Sequence, residues 1–118
     1  MTLALGALVM ALGIGLGAFG AHALKQTLDA AMLAVWETGV RYHLVHGLAL
    51  VALGLFENAT GRSFRGVAPA FVMGLVLFSG SLYGLALSGV RWLGAITPFG
   101  GIAFITGWCL LAYRALRA

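Results

Sequence analysis

The chain has 118 residues and a formal net charge of +4, with 62% hydrophobic and 8% charged residues, against about 25% charged in soluble domains. So few charges cannot clothe a water-facing surface without large contiguous apolar patches, which soluble monomers avoid, and the scattered bases lack the clustered face that nucleic acid requires. What remains is an all-α polytopic integral membrane protein, expected as a single four-helix transmembrane domain over residues 1–118.

The first apolar run, Leu3 to Leu24, has 22 residues and no formal charge; as a helix it is about 33 Å long and crosses the hydrocarbon core. No Lys or Arg precedes it and it outruns a signal-peptide core, so it is read as a span. Leu28, Met32, Val35 and Trp36 then follow i, i+4, i+7, i+8 spacing behind the capping candidates Thr27 and Asp29, which predicts a short interfacial helix between the first two spans. It is either a plain connection anchored by Trp36 or a lid over a site.

The second span is compromised. Its uninterrupted stretch, Leu44 to Phe56, is only 13 residues. Extension back to Gly39 supplies the needed length and carries Arg41, His43 and His46 to membrane depth, where an ionisable residue is a functional-site hypothesis by default. At about 100° per residue, Gly39, His43, His46, Gly47, Leu50 and Gly54 share one arc, so both histidines are expected to face inward. Arg41 falls on the opposite side, one turn after Glu37, in the favourable order for a structural ion pair.

Val67 to Ser88 forms the third span, with Pro69 in its first turn, and Trp92 to Tyr113 the fourth. Only Gly89, Val90 and Arg91 separate them, which forces an antiparallel hairpin. A fourth helix starting at Pro98 would be too short, so it is expected to begin near Trp92 and kink at Pro98, eased by Thr97, Gly100 and Gly101. The lone Cys109 lies inside this run and is read as a structural thiol. The 18 glycines fall at helical spacings, notably Gly6, Gly13 and Gly20 one heptad apart, as helices that approach closely in lipid require; they serve packing within the bundle or self-association.

Alternating spans bring the end of helix one, the start of two, the end of three and the start of four to one membrane face. His22, Tyr42, His43, His46, Ser79, Ser81, Tyr83 and Thr97 are therefore expected to form a polar layer in one leaflet. Three histidines admit a metal or haem as the lesser alternative, since imidazole ligates both, but no Cys, Asp or Glu joins them at ligand spacing and no cofactor is expected. There is no nucleotide loop, paired carboxylate or Ser-His-Asp pattern.

The sequence Gly17-Ala-Phe-Gly-Ala-His-Ala-Leu24, then Trp36, Thr38-Gly-Val-Arg-Tyr-His-Leu-Val-His46 and Leu48-Ala-Leu50, then Phe78-Ser-Gly-Ser-Leu-Tyr83, Leu85-Ala-Leu87, Ile96-Thr-Pro-Phe-Gly-Gly101 and Gly107-Trp108 resembles the YgdD-like family of small bacterial inner-membrane proteins, the DUF423 or UPF0382 proteins. The resemblance runs over nearly the whole chain. It implies four helices in an inner membrane and brings no established activity and no catalytic residues.

The expected function is accordingly non-enzymatic: a polar layer that binds a small or lipidic ligand or mediates helix and partner packing. The alternative is a homo-oligomeric transporter or channel subunit with His43 and His46 titrating along its path. The partners expected are the lipid bilayer and further copies or other membrane proteins. Arg62, Arg65, Arg114 and Arg117 on one side outnumber Lys25, Arg41 and Arg91 on the other, so both termini are expected to be cytoplasmic, with dual insertion as the alternative.

Overall fold

The computed structural model describes residues 1–117, and every regular element among them is helical. The first helix, α1, covers Thr2–His22 and runs into a 3₁₀ turn at Leu24–Gln26. Asp29 then starts the second, its carboxylate accepting from the backbone N–H of Met32 at 2.8 Å, the usual N-cap bond. This helix, α2, continues without a break through Ala30–Thr60 for 31 residues.

The separate interfacial helix and the span beginning at Gly39 are therefore one element. Between Met32 and Gly39 the sequence offers good helix formers and no proline, and the one weak residue, Gly39, is packed against the Tyr83 ring in the space a side chain would fill. At about 46 Å, α2 matches the 48 Å long axis of the molecule and overshoots a hydrocarbon core of about 30 Å. It ends at Gly61, whose φ of 69° suits glycine and whose N–H bonds the Glu57 carbonyl.

The third span comprises α3 (Val67–Gly74), a π-helical turn (Leu75–Ser79) and α4 (Gly80–Ser88). The extra residue of a π turn shifts the phase of the side chains that follow it. Here it aims Ser79 and Tyr83 at α2 and Ser81 at the fourth span.

The fourth span opens as a 3₁₀ segment (Arg91–Ala95) and becomes α5 (Thr97–Leu116) with Pro98 in its first turn. The expected kinked helix is thus a change of helix type. An α-helical N–H at Pro98 is missing in either case, and beginning the α-helix one residue earlier places that gap where no intrahelical partner exists.

Glycines set the close approaches. A Cβ on Gly6 would meet the backbone of Leu50 and Val51, and one on Gly100 would meet the backbone of Phe78. Among the described residues four helices are apolar and long enough to cross a membrane: α1 lies along α2, α5 lies along the third span, and α2 packs on the third span between them. Leu50, Leu53, Phe64, Val67, Phe71, Leu75 and Phe104 form the larger core, toward the Glu57–Gly66 end. Leu24, Trp36 and Ala86 form a smaller one at the other end, and the buried His43 and His46 lie between the two.

Gly100→Ala is expected to destabilise the bundle by about 2 kcal/mol, because the clash is with main chain and cannot be relieved by a rotamer change. Gly15→Ala, whose new methyl meets nothing within 4 Å, serves as the control and is expected to be neutral or slightly stabilising. Unfolding midpoints in mixed micelles check both.

Candidate functional site

His43 and His46 are buried, 5% and 3% exposed, one turn apart near the midpoint of α2. His43 Nε2 lies 2.9 Å from the Val9 carbonyl. A carbonyl only accepts, so Nε2 carries the proton and donates; Nδ1, 3.0 Å from the Tyr83 hydroxyl, accepts from it in the neutral ring. His46 has the opposite tautomer. The Trp108 indole, a donor only, donates to Nε2 at 3.0 Å, leaving Nδ1 to donate to the Tyr42 carbonyl at 2.8 Å. Its ring also stacks on Phe104 with centroids 3.5 Å apart.

Gly13 lets His43 reach its carbonyl. It stands one turn after Val9, and a Cβ there would come within 2.9 Å of the imidazole Cδ2. One heptad on, the arrangement recurs: Trp36 donates its indole N–H to the Leu16 carbonyl at 3.0 Å, over Gly20, where a Cβ would lie 2.5 Å from the indole. Glycine on α1 thus opens a carbonyl to an aromatic N–H on α2 twice, seven residues apart on each helix. The other polar side chains are equally engaged. Ser79 donates to the Gly39 carbonyl at 2.8 Å; Ser81 donates to the Phe78 carbonyl at 2.9 Å and accepts from Thr97 at 2.6 Å.

The comparisons with known proteins follow the same length of chain. The family model described as protein of unknown function (DUF423) matches residues 16–101. A UPF0382 membrane protein of Staphylococcus saprophyticus is 47% identical over 96% of this chain and 94% of its own. The chain belongs to this family. UPF0382 membrane protein YwdK of Bacillus subtilis is 42% identical over 96% of this chain and 94% of its own length. No solved structure matches.

Within this UPF0382 protein, the polar layer differs from its sequence-based outline in two respects. It lies midway along the bundle: His43 packs beside Gly13, one residue from the midpoint of α1, because α2 begins nine residues before Gly39. His22, at the exposed end of α1, is separated from Gly13 by nine residues, about 13 Å along the helix, and does not join the other two histidines. Among the described residues no three His, Cys, Asp or Glu side chains come together as a metal site, and His46 has no free ring lone pair.

Tyr42 is half-exposed and contributes its carbonyl to the layer, its ring lying on Phe78 at 4.4 Å. Glu37 and Arg41 are exposed and line one shallow groove with Gly17 and Ala21. The expected pair between them is not closed among the described residues.

Two participants were missed from sequence. Trp108 was not among the polar residues expected to meet, and its signal was an indole N–H in an apolar run, where a donor away from water seeks a partner. Glu57 accepts from the Thr2 hydroxyl at 2.8 Å and the Phe64 N–H at 3.0 Å, tying the start of α1 and the α2–α3 loop to the end of α2.

Nitrogen NMR of histidine-labelled protein in micelles is expected to show His43 protonated at Nε2 and His46 at Nδ1. Trp108→Phe is expected to move the His46 resonances alone and to cost about 1 kcal/mol of stability, the scale of an interhelical hydrogen bond in lipid.

Proposed function

We propose that this UPF0382 membrane protein is non-enzymatic and accommodates a lipidic ligand in a lateral groove whose inner end is marked by the Trp108–His46 bond. One contrast carries this reading. The side chains of His43, His46, Ser79 and Ser81 are spent on partners within the bundle, whereas a groove of about 530 Å³ beside them is open and apolar.

Ala49, Ala52, Leu53 and Phe56 of α2 form one wall of that groove, and Trp108, Leu111 and Ala115 of α5 the other. The two helices are bridged at its inner end by the Trp108–His46 bond. The volume falls within the range of small-molecule sites, and alanines at 49, 52 and 115 keep the walls shallow. The alternative, transport with both histidines titrating, has less support: protonating His46 at Nε2 would expel the Trp108 N–H.

In a bacterium the membrane concerned is the cytoplasmic one, with both termini inside. Arg62, Arg65, Arg114 and Arg117 lie at the terminal end, against Lys25 and Arg91 at the other, and Arg41, four residues from the midpoint of α2, is too deep to count.

Filling the groove with Ala52→Trp is expected to reduce the lipid that co-purifies with the protein by at least about half, as measured by native mass spectrometry in mild detergent; unchanged retention with a folded bundle would remove the reading. C-terminal phosphatase and fluorescent-protein fusions check the orientation. Fluorescence without phosphatase activity is expected, and equal signals would indicate dual insertion.

A further inference from the structure

At the terminal end of the bundle the apolar groove meets a second cavity of about 290 Å³, where Arg62, Arg114 and Arg117 converge beside Ser63 and Tyr113. Arg62 and Phe64 line both cavities, so the two adjoin: an apolar trough along the bundle and a basic mouth at its end. None of the residues lining that mouth is acidic, and Glu57, the carboxylate of that end, already accepts from Thr2 and the Phe64 N–H.

Two further observations point to a ligand. Among the described residues Arg114 Nε is buried and has no hydrogen-bond partner, which is costly for a charged donor unless something supplies an acceptor. Arg117 is held over the Tyr113 ring at 4.7 Å, a cation–π contact that leaves the edge of the guanidinium free to donate.

We propose that this mouth and trough together bind one anionic phospholipid, with the headgroup phosphate among Arg62, Arg114 and Arg117 and one acyl chain along the trough toward Trp108. The guanidinium fork matches phosphate oxygens in pairs. Three arginines with no carboxylate lining the mouth among the described residues favour a headgroup with net negative charge over a zwitterion, whose own ammonium already offsets its phosphate. A free phosphate would fill the mouth alone. A lipid fills both parts, and the trough opens sideways along the exposed faces of Ala52, Phe56 and Trp108, from which a lipid enters without leaving the bilayer.

This inference rests on the groove reading above and is tested separately from it. The full chain in mild detergent is titrated with phosphatidylglycerol, phosphatidylcholine or inorganic phosphate, and the melting temperature and the bound mass are recorded. Phosphatidylglycerol is expected to stabilise and to remain bound, with about tenfold preference over phosphatidylcholine, the scale of one or two charge-assisted hydrogen bonds, and inorganic phosphate to do neither. Arg114→Gln is expected to abolish that preference. Arg62→Gln, in the exposed loop where folding is not at stake, is expected to weaken it several-fold and serves if the first variant is unstable.

Equal retention of both lipids by the native chain, or a preference unchanged in Arg62→Gln and Arg114→Gln, overturns the headgroup assignment while leaving the groove reading intact. Stabilisation by inorganic phosphate equal to that by phosphatidylglycerol overturns it in favour of a soluble anion. Loss of phosphatidylglycerol binding in Ala52→Trp as well as in the arginine variants supports a single ligand spanning both parts. An Ala52→Trp protein that keeps both lipids in full overturns the groove reading itself.

Discussion

A bilayer interior offers no hydrogen-bond partner, so every polar hydrogen carried to mid-depth has to be answered by the protein. In this chain that constraint falls on α2, whose indole and two imidazoles lie inside the bundle. The N–H groups of Trp36 and His43 are answered by carbonyls of α1 and that of His46 by the Tyr42 carbonyl of α2 itself, while Tyr83 of the third span and Trp108 of the fourth donate to the remaining ring nitrogens of His43 and His46. The helix with the least apolar sequence is therefore the one that all the others are attached to.

The glycines follow from the same requirement. Helices in lipid lack the hydrophobic force that would press them together in water and rely on close packing and interhelical bonds. Gly13 and Gly20 supply both at once, lowering the surface of α1 and uncovering the carbonyls one turn before them. Gly100, Gly107 and Gly74 serve packing alone, receiving Phe78, Phe71 and Phe104. The rings that hold the bundle together could not lie where they do if either stripe carried methyl groups.

Much of this was legible in the sequence. The first and third spans are unbroken apolar runs of sufficient length, the heptad of Gly6, Gly13 and Gly20 marks the buried face of α1, and the helical arc through Gly39, His43 and His46 marks that of α2. The continuity of α2 was not, because Glu37, Thr38 and Arg41 interrupt the hydropathy without interrupting the helix: a charge shows where the apolar run stops, whereas a helix ends at caps such as Asp29 and Gly61. That misplacement moved the histidines toward one end and grouped them with His22. The π turn and the Trp108 bond stayed hidden for another reason. Both depend on the phase between two helices, which no periodicity within a single helix contains.

The order in which these partners leave the ribosome has its own consequence. A chain synthesised from its N-terminus delivers α1, whose contribution to the bonds is backbone carbonyls alone, before the donors of α2. The N–H groups of Trp36 and His43 thus enter a membrane where their acceptors are already waiting. The ring lone pairs wait longer, Nδ1 of His43 for Tyr83 of the third span and Nε2 of His46 for Trp108 of the last. Completion of the chain is thereby coupled to closure of the bundle: until residue 108 is in place, the lone pair of His46 Nε2 lacks its donor.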